Sequence, residues 1–110
     1  MENFHLDILK MLTQNNHILK ALQVIPGVGA SIARDLISLG VSSVDDLTGA
    51  NPDAMYGELC AMRGQKLDRC LLYVFRCAVY FASNEVRDPE LMKWWNWKDD
   101  SVIAFEPRGH

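Results

Sequence analysis

A Pro-Gly-Val-Gly turn at 26–29 constrains the fold of this chain more than any other feature. Apolar residues at helical spacing precede the turn, and a second such set follows it until Gly40, a residue typical of the position after a helix C-terminus. Gly27 and Gly29 let the backbone turn sharply and let its N–H groups approach another backbone closely. The stretch 16–40 therefore predicts two short helices joined by a tight turn. An anion is the natural ligand of the unpaired N–H groups that begin the second helix.

Helical spacing covers the rest of the chain, and no stretch alternates as a strand would. Ser43 with Asp46 three residues later resembles a capping box, and Asn51-Pro52 is a helix-start signal. The sequence predicts an extra N-terminal helix at 4–12, the helix pair at 16–40 and a connector helix at 43–48. Two further helices are predicted within 52–84, and the second of them is central and buried. A short C-terminal helix opened by Asp88-Pro89 and a polar tail at 98–110 complete the chain. The predicted fold is all-α, with residues 1–110 in a single domain.

Composition narrows the class of protein. A chain of 110 residues, 49% of them hydrophobic, is one globular domain. No stretch is long and apolar enough for a membrane span, and the first residues lack the layout of a signal peptide, so a cytoplasmic protein is expected. Cys60, Cys70 and Cys77 lie among apolar residues and predict buried, reduced thiols. The net charge of -3 argues against strong binding to duplex DNA.

The chain also matches itself at an offset of about 37 positions. Leu22-x-x-Ile25-x-Gly27 falls on Leu59-x-x-Met62-x-Gly64, and Ala33 falls on Cys70. The second turn, Arg63-Gly64-Gln65-Lys66, lacks the proline and the second glycine of the first. The repeat predicts a doubled helical hairpin with pseudo-two-fold symmetry. Residues 16–40 are called the first hairpin and residues 52–84 the second.

Two resemblances follow from these residues. The pattern Leu22-x-x-Ile25-Pro26-Gly27-Val28-Gly29-x-x-x-Ala33-x-x-Leu36 resembles the helix-hairpin-helix motif of DNA repair proteins, ligases and polymerases. The stretches 39–47, 72–82 and 93–99 are similar to the small bacterial pathogenicity-locus proteins, which are often labelled as mitomycin-resistance proteins. The resemblance implies a helix-hairpin-helix fold, binding to DNA phosphates without sequence specificity, and a role in DNA repair or damage tolerance. It brings no catalytic residues.

The resemblance also implies a set of site residues. The phosphate would be held at the first turn by Gly27, Val28, Gly29, Ala30 and Ser31, with the Val28 side chain packing the turn down. Ala30 and Ser31 occupy positions where many DNA-binding versions carry a lysine. Positive charge is therefore expected from Arg34 and, at the second turn, from Arg63, Lys66 and Arg69. No cofactor is expected, except that some relatives hold a monovalent cation on hairpin carbonyls.

Each functional feature has a structural alternative. The first turn is also a compact way to join two helices in a packing or docking module. Arg69, Tyr73, Arg76 and Tyr80 share one helix face and could contact nucleic acid. The favoured interpretation is that Arg76 pairs with Asp46 or Asp99 and that the tyrosines are packed, with their hydroxyls bonded.

The tryptophans also have two interpretations. Trp94, Trp95 and Trp97 could form a partner-binding surface. The favoured prediction is that two of them clamp the C-terminal helix onto the core while one is partly exposed.

An enzyme is not expected, because His5, His17 and His110 stand alone and no paired carboxylates, metal spacing or phosphate-binding loop with its lysine is present. Two function classes remain. The first is a non-catalytic module that binds the DNA backbone weakly and without sequence specificity. The second is a protein-interaction module, including self-association into a homodimer, that uses the tryptophan segment as its contact.

Overall fold

The computed structural model describes residues 16–99, and this part of the chain is helical with no strand. The helices are α1 (16–22), α2 (Ala30–Ser38), α3 (Pro52–Arg63) and α4 (Arg69–Ser83), with short 3-10 helices at Val44–Leu47, Pro89–Met92 and Trp94–Trp97. The all-α fold class is therefore confirmed. The predicted helix at 4–12 and the tail beyond residue 99 lie outside the described residues. Within the described range no helix is long and apolar enough to cross a membrane.

The ends of α3 show how local sequence sets the helices. The Asn51 side chain accepts a hydrogen bond from the Ala54 N–H at 3.1 Å, and Pro52 fills the first helical position, where no N–H is needed. At the other end Gly64 adopts a left-handed conformation with φ 69°, and the Gln65 N–H donates to the Cys60 carbonyl. This arrangement is a Schellman motif, which satisfies carbonyls that the helix leaves free. Both predicted ends of this helix are confirmed.

The first turn begins before its proline. Helix α1 ends at residue 22. Backbone hydrogen bonds of the tighter 3-10 type, between residues three apart, then continue as far as Ile25. Pro26 and Gly27 then occupy the two central positions of a β-turn, closed by the Val28 N–H donating to the Ile25 carbonyl at 3.1 Å. Gly27 has φ 83°, as the second central residue of a type II turn requires. The proline therefore builds the turn, and the helix has already ended.

Helix α4 is the centre of the domain. It packs against α3 and against all three 3-10 helices. Its buried residues Leu72, Val74, Phe75, Cys77 and Ala78 meet a core supplied by the other elements: Leu22, Ile25, Val28, Ala33, Leu36, Val41, Leu47, Tyr56 and Leu59. The second of the two helices predicted within 52–84 is therefore central, as predicted. It is not apolar all round, because Tyr73, Arg76 and Tyr80 are only half-buried along one side.

Two local predictions were wrong. The Ser43 side chain makes no cap, and the Asp46 carboxylate instead accepts from the Ser42 N–H at 2.8 Å and the Ser42 hydroxyl at 3.0 Å. The backbone hydrogen bond from Ser42 is the main reason that the pKa of Asp46 is lowered. The segment after Asp88 forms two separate 3-10 helices, 89–92 and 94–97, where one helix was predicted. Asp88 does cap the first of them through the Glu90 N–H.

Candidate phosphate-binding site

The N-terminus of α2 is uncapped. Gly29 precedes it in an extended conformation, with φ -96° and ψ -169°, and supplies no side chain to the helix. Within residues 16–99 the N–H groups of Gly29, Ala30, Ser31 and Ile32 have no hydrogen-bond acceptor. Four unpaired donors and the positive end of the helix dipole therefore point out of the first hairpin.

Val28 does not belong to this set of donors. Its N–H closes the β-turn onto Ile25, so it is not available to a ligand. Its side chain is only 6% exposed and packs into the core, which confirms the packing role predicted for it. The sequence predicted that the amides from Val28 to Ser31 are available to a phosphate, whereas the unpaired amides in the structure are those of Gly29 through Ile32.

The two glycines of the turn have different surroundings. A β-carbon added at Gly27 would lie 2.9 Å from Cδ1 of Trp94, because the indole lies directly against the turn. A β-carbon added at Gly29 would meet nothing within 4 Å. One side of the turn is thus covered by the C-terminal segment, while the amide-bearing side is open. No sequence signal links Trp94 to Gly27, which lies far from it along the chain.

Two of the four predicted cations are ion-paired. Arg63 donates to Asp35 of α2 at 2.8 Å, and Arg69 makes a bidentate pair with Asp99, with its closest contact at 2.9 Å. Within the described part of the chain, Arg34 and Lys66 have no carboxylate within 4 Å. The basic cluster predicted at the second turn is therefore reduced to one uncompensated lysine.

The second hairpin presents no open helix N-terminus. The Asp68 carboxylate accepts from the Cys70 N–H at 2.9 Å and so caps α4 with a negative charge of its own. That hydrogen bond is the main reason that the pKa of Asp68 is lowered. The carboxylate occupies the place where an anion would bind at the first hairpin. The sequence signal for this cap is an aspartate placed just before an apolar helical run.

The predicted repeat matches only in part, and it fails first before the turn, where Met62 is 49% exposed although Ile25 is buried. Gly27 and Gly64 both have positive φ, and Leu22 and Leu59 are both fully buried. After the turn the match of Ala33 with Cys70 is wrong, because Ala33 is buried and Cys70 is exposed. The buried counterparts of Ala33 and Leu36 lie two residues further on, at Leu72 and Phe75. The next helix begins three residues after Gly27 but five residues after Gly64, so a constant offset could not hold.

The polar face of α4 holds the C-terminal segment. The Asp99 carboxylate accepts from Arg69, from the Tyr73 hydroxyl at 3.3 Å, and from Arg76 at 3.0 Å. Arg76 also donates to the Trp97 carbonyl at 2.8 Å. The hydrogen bond from Arg69 is the main reason that the pKa of Asp99 is lowered. The favoured structural interpretation is confirmed for Asp99, whereas Asp46 bonds to Ser42 and is not the acceptor.

The three tryptophans divide as predicted, with two packed and one exposed. The Trp97 indole donates to the Leu91 carbonyl at 2.8 Å, and its ring lies 5.5 Å from that of Tyr80. Trp94 is half-buried against Gly27. Trp95 remains 49% exposed. Any partner surface in this segment therefore centres on Trp95.

The cysteines and acidic residues suggest no metal centre. Cys77 is buried, Cys60 is half-buried and Cys70 is exposed, so the prediction of a buried thiol is wrong for Cys70. Cys70 is exposed because it lies in the first turn of α4, ahead of the core positions. Among residues 16–99 no group of three His, Cys, Asp or Glu side chains could hold a metal ion.

Comparison with known proteins identifies the family of this chain. The chain is 29% identical over 89 residues to a mitomycin resistance protein, McrB, of Streptomyces lavendulae, and the match covers 81% of each chain. No solved structure matches the chain. A protein-family model described as "Pathogenicity locus" matches residues 15–101, which include every helix described above. This chain therefore belongs to the pathogenicity-locus family.

Proposed function

We propose that the first hairpin binds a backbone phosphate of DNA through the N–H groups at the start of α2, as a helix-hairpin-helix motif does. The open, uncapped helix N-terminus carries this proposal, because it offers four unpaired donors and no side chain fills the space over Gly29. The two other long helices whose starts are described, α3 and α4, are closed by the Asn51 and Asp68 side chains. An N-terminus without a cap is suited to an external anion.

The distribution of charge supports weak binding. Arg34 lies about one helical turn along α2 from these amides, and among residues 16–99 it has no carboxylate within 4 Å. Lys66 supplies a second positive charge at the other turn. Few phosphates would be neutralised, so the affinity should fall only as a small power of the salt concentration. Contacts to phosphates alone carry no sequence information, so binding would be non-specific.

The biological role is proposed from the relative. That protein is named as a mitomycin resistance protein. We extend to this chain a non-catalytic role in DNA repair or damage tolerance, in which the domain holds the DNA backbone and another component supplies any chemistry.

Fluorescence anisotropy with labelled duplex and branched DNA at low salt tests the proposal. Gly29→Val should weaken binding at least tenfold, because the branched side chain would stand over the amides, while the extended backbone accepts valine without strain. Gly57→Val is the matched control, since Gly57 is also open and lies in α3, outside both turns. If Gly29→Val binds as the wild type does, the hairpin is not the site. If the wild type itself does not bind at tens of micromolar protein, the proposal fails.

A second function is favoured by one observation, the exposure of Trp95. Exposed tryptophans are preferred anchors of protein interfaces. In this alternative the domain is a protein-interaction or self-association module, and the Trp94–Trp97 segment forms its contact surface. Sedimentation of the wild type against Trp95→Ala tests self-association. Trp95 is the residue changed because it is exposed, whereas Trp97 is packed against Tyr80. Identical monomeric behaviour of both proteins would contradict self-association.

A further inference from the structure

A cavity of about 310 Å³ lies between the N-termini of α2 and α4, beside the first turn. Its walls are Gly27, Ile32, Cys70, Leu71, Val74 and Trp94, together with Asp68. The volume is at the lower end of the range for small-ligand sites. The cavity and the open amides share one turn, because Gly27 lies in the cavity wall and Gly29 is the residue before α2.

The cavity offers a flat ring an apolar surface on which to stack. Trp94 forms one wall, and its indole is held in place by contact with Gly27 and by an edge-on contact with Trp95 at 5.9 Å between ring centroids. The aliphatic side chains of Ile32, Leu71 and Val74 complete the lining. Indole rings stack on any nucleobase, since every base presents a π face.

The polar group in this lining selects for hydrogen-bond donors. Asp68 accepts from the Cys70 N–H through Oδ1 and also from the Cys70 thiol, which leaves lone pairs of the carboxylate for a further donor. The lowered pKa of this carboxyl keeps it ionised at neutral pH. A negative oxygen beside apolar walls repels a phosphate and accepts from an amino group. Carboxylates accept in this way from the amino group of cytosine.

We propose that this cavity takes an unpaired nucleobase with an exocyclic amino group, from the strand whose phosphate lies on the α2 amides. The proposal rests on the proposed function and adds a preference for DNA with unpaired bases. Consecutive Cα atoms are about 3.8 Å apart, so Gly27 and Gly29 are close enough for one nucleotide to reach both places. A paired base cannot enter, because its amino group is already bonded and its ring is stacked in the duplex.

Cys70 provides a direct reporter of occupancy in the wild-type protein. It is the exposed cysteine and it lines the cavity, whereas Cys77 is buried elsewhere in the core. We expect a single-stranded oligo-dC to slow the alkylation of Cys70 by iodoacetamide several-fold, as measured by mass spectrometry. An abasic oligomer of equal length carries the same phosphates without bases. It should bind more weakly and leave the rate unchanged.

Variants separate the cavity from the hairpin. Trp94→Leu should lower the affinity for oligo-dC about tenfold and leave duplex binding unchanged, because only the stacking surface is lost. Val86→Ala, at a highly exposed residue that does not line the cavity, is the control and should bind both as the wild type does. Gly29→Val should weaken both kinds of DNA. Circular dichroism checks that each variant is folded.

The possible outcomes distinguish the two proposals. If oligo-dC and the abasic oligomer bind equally and neither slows alkylation of Cys70, the cavity proposal is overturned while phosphate binding stands. If no DNA binds, both proposals fall. If oligo-dC protects Cys70 equally well in Trp94→Leu, the stacking site is also overturned. The alkylation of Cys70 in the wild-type protein remains a valid test even if Trp94→Leu lowers stability.

Discussion

Replacing a glycine in this domain should have a different cost at different positions. Gly27 and Gly40 both have positive φ, at 83° and 91°, where an L-residue is strained. They differ in their surroundings, because a β-carbon at Gly40 would meet nothing within 4 Å, whereas one at Gly27 would meet Trp94. The pair therefore separates the cost of backbone conformation from the cost of crowding.

We predict that Gly40→Ala lowers the free energy of unfolding by about 1 kcal/mol through backbone strain alone. Gly27→Ala should lower it by about 2 kcal/mol or more, because Trp94 must also move. Urea unfolding followed by circular dichroism measures both values. Gly27→Ala should also change the native tryptophan fluorescence, which Gly40→Ala should leave alone. Equal losses in the two variants would show that Trp94 gives way at no cost.

The thiols should differ in reactivity for a similar local reason. Burial raises the pKa of Cys77 to about 11. The hydrogen bond with Asp68 raises the pKa of Cys70 as well, but that thiol is exposed at the start of α4. At pH 8 we expect Cys70 to react with a thiol reagent in the native protein and Cys77 to react only after unfolding in urea. Mass spectrometry of peptides after timed labelling measures this. Early labelling of Cys77 would contradict the packing described for α4.

Among the helices, α2 lacks the N-terminal cap that α3 and α4 have. A residue that caps α2 should therefore raise the stability of the domain and weaken its binding to DNA. Gly29→Asp places a carboxylate where Asp68 stands at the start of α4. We predict that it raises the free energy of unfolding by a few tenths of a kcal/mol to about 1 kcal/mol, since aspartate caps and complements the helix dipole. The same variant should abolish DNA binding.

The control for this variant is Gly29→Asn, which caps the helix without adding charge. It should gain similar stability and lose less binding at low salt. Urea unfolding and anisotropy on the same preparations give both quantities. A more stable Gly29→Asp variant with undiminished affinity for DNA would mean that the phosphate does not use these amides.

The starts and ends of helices were largely predictable, because they depend on a few neighbouring residues. Asn51 with Pro52, Gly64 and Gly40 act within one turn of chain, so their effect is visible in the sequence. The site was less predictable. The partners of Arg63 and Arg69 lie 28 and 30 positions away, and their charges are compensated only once the helices have packed. The contact of Trp94 with Gly27 depends on packing in the same way.

In the domain as a whole, the C-terminal segment, residues 94–99, lies across α4 and connects it to other elements. It is called the brace. Arg76 joins the segment at the Trp97 carbonyl and at Asp99, and it reaches α3 through Asp53 at 3.5 Å. At its other end the brace contacts Gly27 of the first turn through Trp94. Loss of this segment should therefore loosen the first hairpin as well as α4. The contacts of Asp99 with α4 and the Asp68 cap depend on ionised carboxylates, so the stability of the domain should depend on pH.

Three carboxyls have pKa values below the usual 3.8: Asp46, through the backbone N–H of Ser42; Asp68, through that of Cys70; and Asp99, through Arg69. Their stabilising contribution is complete above the pKa of the unfolded chain and is lost as the pH falls through the lower folded pKa. We therefore predict that the urea midpoint is nearly constant from about pH 5 to pH 7 and falls below about pH 4. Asp68→Asn keeps a capping side chain that does not titrate, so its midpoint should fall less steeply over that range. Equal slopes in the two proteins would mean that the Asp68 cap is not part of the acid response.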